Sequence, residues 1–204
     1  MSDDRGEIRA AQAARETGET QVLVKLALDG QGEGERKTGV GFFDHMLDLL
    51  ARHGAMDLDV NARGDLQTGG HHTVEDVGLV LGKTLDEALG DRSGIARYGH
   101  AVVPMDEARA SCAIDISGRP YCRFEADLLP PGAIAGFDHE LAEEFFRAVS
   151  TTARLTVHLT LEAGTNAHHM VEALFKAFAR ALRAAVARDP MQRGIPSTKG
   201  TLTE

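Results

Sequence analysis

The residues best suited to chemistry in this chain form two copies of one pattern, His71-His72-x-x-Glu75 and His168-His169-x-x-Glu172, set 97 positions apart. Histidine doublets are uncommon, and a doublet followed twice at the same offset by a carboxylate is poorly explained by chance. Neutral imidazole and carboxylate are the usual protein ligands for manganese, iron or zinc where no thiolate is offered. Each copy opens a stretch whose apolar residues recur at helical spacing. On a helix, residues three or four apart share a face, so Glu75 can act with His71 or His72, and Glu172 with His168 or His169. Consecutive helical residues point about 100° apart, so a doublet suits two ions better than one.

The elements that must position these groups also repeat. In the first half, Gln21–Leu28 alternates like a strand, Asp29–Gly34 is a Gly-rich turn, and Phe42–Leu50 fits a helix. Met56–Ala62 alternates again, and Thr73–Leu89 places Val74, Val77, Val80, Leu81, Leu85 and Leu89 on one helical face before Gly90. In the second half, Ala101–Met105, Ala108–Ile116 and Tyr121–Ala126 read as strands, broken at Pro130-Pro131-Gly132. A helix over Glu140–Val149, a strand over Leu155–Leu161 and a helix over Met170–Val186 follow. The order predicts an α+β fold of internally duplicated βα half-domains, each a mixed sheet with helices packed on one side. Its seam falls near Ser93–Arg97. Residues 1–14 are expected to be a mobile N-terminal segment, 15–95 the first half-repeat, and 96–204 the second half-repeat with a C-terminal substrate-binding segment, together one compact domain.

The duplication suggests one more ligand per repeat. His45 lies on the short helix 26 residues before His71, and Glu144 on the matching helix 24 residues before His168. The full set is then His45, His71, His72, Glu75, Glu144, His168, His169 and Glu172, enough for two octahedral ions with open positions. For His45 a buried core histidine is the rival reading, and for Glu144 a solvated helix face. His100, His139 and His158 have no such pattern and read as structural or exposed. A zinc peptidase would need His-Glu-x-x-His or its reverse, and di-iron bundles use Glu-x-x-His on long helices; neither order occurs here.

Composition narrows the class. With 43% hydrophobic and 26% charged residues, the chain reads as soluble and globular. No apolar run is long enough to span a bilayer, and Met1–Gln12 lacks the apolar core of a signal peptide, which predicts a cytoplasmic protein without a membrane partner. A net charge of -9 argues against a nucleic-acid surface. Cys112 and Cys122 are too few for a disulfide framework or thiolate site and read as small core side chains.

Five segments resemble imidazoleglycerol-phosphate dehydratase, the enzyme of histidine biosynthesis that forms imidazoleacetol phosphate. They are Phe43-Asp44-His45-Met46, Gly70 through Asp76, Ser117-Gly118-Arg119-Pro120, His168 through Ala177, and Pro196-Ser197-Thr198-Lys199-Gly200. The resemblance runs in unbroken order from about Thr17 to Leu202. It implies a ribosomal protein S5 domain 2-like fold, two Mn²⁺ per active site, and a 24-subunit homo-oligomeric shell with sites between subunits. Carried over by position, the metal ligands are His45, His71, His72, Glu75, His168, His169 and Glu172. The family usually has His where this chain has Glu144, and tends to be acidic where it has Gly69-Gly70; Glu144 still offers an oxygen donor.

The resemblance also implies substrate contacts at Glu19, His45, His53, His71, Glu75, Arg97, Arg119, His168, Lys176, Ser197, Thr198 and Lys199. Dehydration must remove a carbon-bound proton that is scarcely acidic and expel hydroxide. A substrate imidazole bound by two manganese ions as an imidazolate can push out the neighbouring hydroxyl, leaving a diazafulvene-like intermediate with an acidified C–H. Glu19 is the first candidate for proton transfer, with Asp106 weaker; Glu75, Glu172 and His45 complete the catalytic group. Arg97, Arg119 and Lys199 suit the phosphate, with a hydrogen bond from Ser197. Two other classes compete: a dinuclear metallohydrolase using metal-bound hydroxide, and a non-catalytic metal-storing or structural shell.

Overall fold

A computed structural model of the protein describes residues 9–203. The first half runs β1 (Ala10–Glu16), β2 (Thr20–Ala27), β3 (Arg36–Lys37), α1 (Gly41–Gly54), β4 (Asp57–Gly64) and α2 (His71–Leu89). The second runs β5 (Tyr98–Met105), β6 (Ala108–Asp115), β7 (Tyr121–Glu125), a small hairpin of β8 (Ala133–Ile134) and β9 (Phe137–Asp138), α3 (Leu141–Thr152), β10 (Thr156–Ala163) and α4 (Ala167–Val186). The two four-stranded sheets have equivalent orders, β1-β2-β4-β3 and β5-β6-β10-β7. In each, three antiparallel strands are followed by a parallel edge strand. The fold is thus the duplicated α+β arrangement expected from the sequence.

Alternation decides which face of each sheet is covered. Val22, Val24 and Leu26 of β2 are buried, and register sets Val24 opposite Val60 and Leu26 opposite Leu58 of β4. In the second sheet, Cys112 and Ile114 of β6 oppose Leu159 and Val157 of β10. Cys112 is a buried core side chain; Cys122 is half-buried, and both are free thiols.

The helices of each half cover their own sheet but pair with helices of the other half. α2 packs on α3, and α1 on α4. Gly78 and Gly82 let α2 come close: a Cβ on Gly82 would lie 2.1 Å from Thr152 Oγ1 and 2.5 Å from the Val149 carbonyl oxygen. An aromatic cluster continues the core, with Phe146 of α3 set 4.7 Å from Phe175 and 5.1 Å from Phe178 of α4 (ring centroids). One hydrophobic core therefore runs through both halves.

Two details lie beyond what the sequence reading described. Of the segment 1–14, residues 1–8 lie outside the described residues, and Ala10–Ala14 pair with β2 as part of β1. This strand shows no alternation because it is a sheet edge on which Ala13 alone is buried. The long helices also begin earlier than periodicity suggested, with the histidine doublets inside their first turns. Polar groups there interrupt the apolar pattern, while Asn166 caps α4 by accepting from the His168 and His169 amides at 2.9 and 3.4 Å.

Candidate metal and substrate site

The two doublets occupy equivalent helix starts, and the members of each turn to different partners. On α4, His168 Nε2 lies 3.0 Å from Glu172 Oε1, one helical turn away. On the same helix His169 Nδ1 lies 2.8 Å from Glu107 Oε2, in the turn between β5 and β6. On α2, His71 Nε2 stands 3.8 Å from Glu75, whereas His72 Nδ1 lies 3.1 Å from Asp65 and 3.7 Å from Glu19. The rings within the doublets are nearly perpendicular, at 85° and 83°.

His45 is exposed on α1, so it is not a core histidine. The sequence reading counted it as one more ligand in its own repeat and left open which ion it would serve. The structure places it with the doublet of the other repeat: His45 Nε2 lies 3.0 Å from Glu172 Oε1, because α1 packs on α4. Glu144 sits half-buried on α3, which packs on α2 as α1 packs on α4. Among the described residues, the groups able to hold a metal ion are His45, His168 and Glu172, and Glu19, Asp65 and His72. Glu144 belongs to neither.

Glu172 is buried and would resist ionisation on that ground. Hydrogen bonds from Lys176, His45 and His168 outweigh the burial and hold its carboxyl at about 2. Lys176 Nζ sits 2.5 Å from Glu172 Oε2 and 3.1 Å from Met105 Sδ. Burial, with the charges of Lys176 and Arg180, lowers the proton affinity of His53. Phe42 closes the group, edge-on to His168 at 5.0 Å.

Glu19 stands exposed on the β1–β2 turn. Thr17 Oγ1 accepts from the Glu19 and Thr20 amides at 3.1 and 3.0 Å, and Asp76 ties this turn to α2 by accepting from Thr20 Oγ1 and from Arg15 Nε at 2.7 Å. Glu107 occupies the matching turn in the second half. Sequence reasoning missed both Asp65 and Glu107. The second was findable from the duplication, since it recurs where Glu19 does. Its carboxyl is held at about 2 by His169 and by the Asn166 and Thr165 amides. Asp106 beside it is exposed, 3.9 Å from His169 Nε2.

The basic groups gather along a different edge. Arg97 donates to Asp115 at 2.7 Å and to the Pro196 carbonyl at 2.8 Å, and its guanidinium carbon lies 4.7 Å above the Tyr98 ring. Ile116 donates to the Arg97 carbonyl, which sets the Ser117-Gly118-Arg119 turn beside it. Ser197 Oγ accepts from the Lys199 amide at 3.2 Å, while Thr198, Lys199 and Arg119 are exposed. His139 is buried, bonded to the Pro130 carbonyl at 2.7 Å; His100 and His158 are exposed.

A sequence model of imidazoleglycerol-phosphate dehydratase matches residues 38–182. The chain is 56% identical over 194 residues to the imidazoleglycerol-phosphate dehydratase of Symbiobacterium thermophilum, covering 95% of this chain and 93% of the relative. The chain belongs to the imidazoleglycerol-phosphate dehydratase family. The enzyme of that name from Gluconobacter oxydans is 53% identical over 197 residues, 96% of this chain and 99% of its own. Solved dehydratase structures share the fold. That from Staphylococcus aureus superposes with a TM-score of 0.80 at 43% identity, covering 88% of this chain and 99% of that one. That from Pyrococcus furiosus, determined in complex with (S)-C348, gives 0.79 at 36% identity over 93% and 100% of the two chains. The protein is therefore a hydro-lyase with imidazoleglycerol-phosphate dehydratase activity, which implies histidine biosynthesis. The hydrolase and storage readings fall away. No helix among the described residues is long and apolar enough to cross a membrane.

Proposed function

We propose that the chain converts D-erythro-imidazoleglycerol phosphate to imidazoleacetol phosphate at a site holding two Mn²⁺ ions, in the cytoplasm. The observation that carries this reading is the doubled presentation of imidazole and carboxylate at two equivalent helix starts. The donor set fits the metal: it offers nitrogen and oxygen without thiolate, and Glu172 stays ionised. His45, His168 and Glu172 would hold one ion; His71, His72, Glu75 and His169 would serve the rest of the site, with Glu144 replacing the family's usual His. When bound, the ions supply Lewis acidity toward the substrate's imidazole.

The protein's own groups handle protons and phosphate. His72 and His169 each direct Nδ1 at a carboxylate, Asp65 or Glu107, so Nδ1–H donates and the Nε2 lone pair is left for a ligand bond. Glu19, on its braced turn, is the base for the carbon-bound proton. The substrate hydroxyl departs as hydroxide, this hydroxide and the carbon-bound proton together make the water released, and the resulting enol becomes the ketone. If the hydroxyl leaves first, a diazafulvene-like substrate species precedes loss of that proton. Lys176 keeps Glu172 charged, and Arg97, Arg119, Ser197, Thr198 and Lys199 bind the phosphate.

Each three-residue donor group falls short of six ligands. That leaves room for sites completed between subunits, and the reading takes the assembly to be a 24-subunit shell with no nucleic acid or membrane partner. The test is turnover by metal-stripped protein resupplied with Mn²⁺ and imidazoleglycerol phosphate, following ketone product, together with the mass of the assembly. Product that depends on Mn²⁺ supports the reading; metal bound in an intact shell without product overturns it. A parallel Glu144→His variant asks whether that position ligates, since a ligand there changes metal affinity when exchanged for imidazole.

A further inference from the structure

We infer that Arg92 and Arg154, gathered on Asp86, are positioning residues for the segment 196–203 that binds substrate phosphate. The inference rests on the site proposed above.

Arg92 is fully buried in the connection between α2 and β5, with a φ of 64°. Its guanidinium joins three separate stretches of chain. It donates to Asp86 near the end of α2, to the Ala153 carbonyl beyond α3 at 3.2 Å, and to the Leu202 carbonyl at 2.5 Å. Arg154 donates to both oxygens of the same Asp86, at 2.9 and 2.7 Å, and to the Thr203 carbonyl. Two guanidinium groups thus share one carboxylate and end on consecutive carbonyls of the C-terminal segment.

The same Leu202 carbonyl is also confined by a second turn. A Cβ on Gly118 would lie 2.1 Å from the Leu202 carbonyl oxygen and 3.4 Å from Arg92 Nη1, and Leu202 itself is buried. The Asp86 clamp and the turn that carries Arg119 therefore meet at the Leu202 carbonyl. Arg97 supplies a second anchor through the Pro196 carbonyl. Ser197, Thr198 and Lys199 run between the two anchors in a turn closed by the Gly200 amide on the Ser197 carbonyl at 3.1 Å.

Burying a guanidinium is costly unless acceptors meet it; here two backbone carbonyls and Asp86 take both terminal nitrogens, while the buried Nε has no partner among the described residues. A planar fork with several donors is well suited to hold three chain segments at once. A hydrophobic residue would fill the volume but leave the Leu202 carbonyl without this donor. The clamp touches neither donor group of the metal site; its reach is to the phosphate-binding segment.

The test compares wild type with Arg154→Ala, Arg92→Lys and Arg92→Met, each loaded with Mn²⁺ and assayed on imidazoleglycerol phosphate. In Arg154→Ala and Arg92→Met, KM should rise about tenfold with kcat within about twofold, the signature of lost binding without lost chemistry. Arg92→Lys should recover part of the KM. Amide exchange over 197–203 should quicken while bound manganese stays unchanged. An unchanged KM with unchanged exchange overturns the inference, as does a parallel fall in Tm, manganese content and kcat, which marks a structural role alone. Failure of wild type to turn over would defeat the site reading, while exchange over 197–203 would still judge the clamp.

Discussion

His45 and Glu172 lie 127 positions apart in sequence, yet His45 Nε2 stands 3.0 Å from Glu172 Oε1. The contact joins the short helix of one half to the long helix of the other. His168 reaches the same oxygen at 3.0 Å, and Lys176 holds the other. One buried carboxylate therefore gathers two imidazoles and an ammonium from two helices, and its negative charge keeps them together.

Glu172→Gln tests this gathering, since it preserves shape and removes charge. Lys176 would lose its counter-charge, and the two imidazoles would lose their shared acceptor. Metal affinity should fall by more than the roughly 10–100-fold typical of removing an outer partner. Manganese titration of the stripped protein followed by electron paramagnetic resonance reads this directly. Retention of wild-type affinity would remove Glu172 from the ligand set.

Asp65 and Glu107 should act as orienting partners of His72 and His169. In Asp65→Asn and Glu107→Gln, metal affinity should fall about 10–100-fold while the ligands themselves remain. Glu107→Gln should also loosen the start of α4, because Glu107 accepts from the Thr165 and Asn166 amides at 3.2 and 2.7 Å. Calorimetric metal titration and amide exchange at residues 165–169 check the two effects separately.

Gly82→Ala should destabilise the protein by about 1–3 kcal/mol, the usual range for overpacking. The added methyl would meet the Val149 carbonyl oxygen at 2.5 Å, backbone that cannot rotate aside. Gly41→Ala at the start of α1 is the control: beyond its chain neighbours and the adjacent backbone of its own helix, no heavy atom would lie within 4 Å of its Cβ, so the change should be neutral or slightly stabilising. Thermal unfolding of the two variants should separate clearly.

Asp57 gives a pH-dependent contribution to stability. Its carboxylate accepts from the amides of Gln31, Gly32 and Glu33 at 2.8, 3.1 and 3.0 Å, and these bonds, Gln31 first, lower its pKa from 3.8. A depressed folded-state pKa means stability that is present above 3.8 and lost as pH falls through the lower folded value. Asp57→Asn should flatten that part of the profile. Urea unfolding of metal-free protein between pH 6 and the acid limb of the transition checks it; an unchanged slope would show that the loop does not depend on the charge.

What the sequence disclosed was set by repetition and periodicity. The long helices, β2, β4, β6 and β10 all carry apolar residues at a period that matches the face they bury. The doublets stood out because polar residues recurred as well. β1 carried no such signal, being an edge strand of alanines and charged residues with only Ala13 buried. β3 has two residues, too few for any period. Asp65 escaped because it lies outside the helix it serves, and proximity across a turn leaves no spacing to read; Glu107 was legible only by its equivalence to Glu19. The partner of His45 was hidden for a larger reason. Which helix packs on which is decided by the core as a whole, and the Gly78 and Gly82 face that seats α3 has meaning only once α3 is beside it.

The exchange of helices between halves also bears on heredity. Duplication ordinarily frees one copy to drift while the other keeps the work. Here the copy carrying His45 places an imidazole on the buried carboxylate of the copy carrying Glu172, so that cluster belongs to neither copy alone. A change at His45 or at Glu172 is therefore felt across the boundary between the halves.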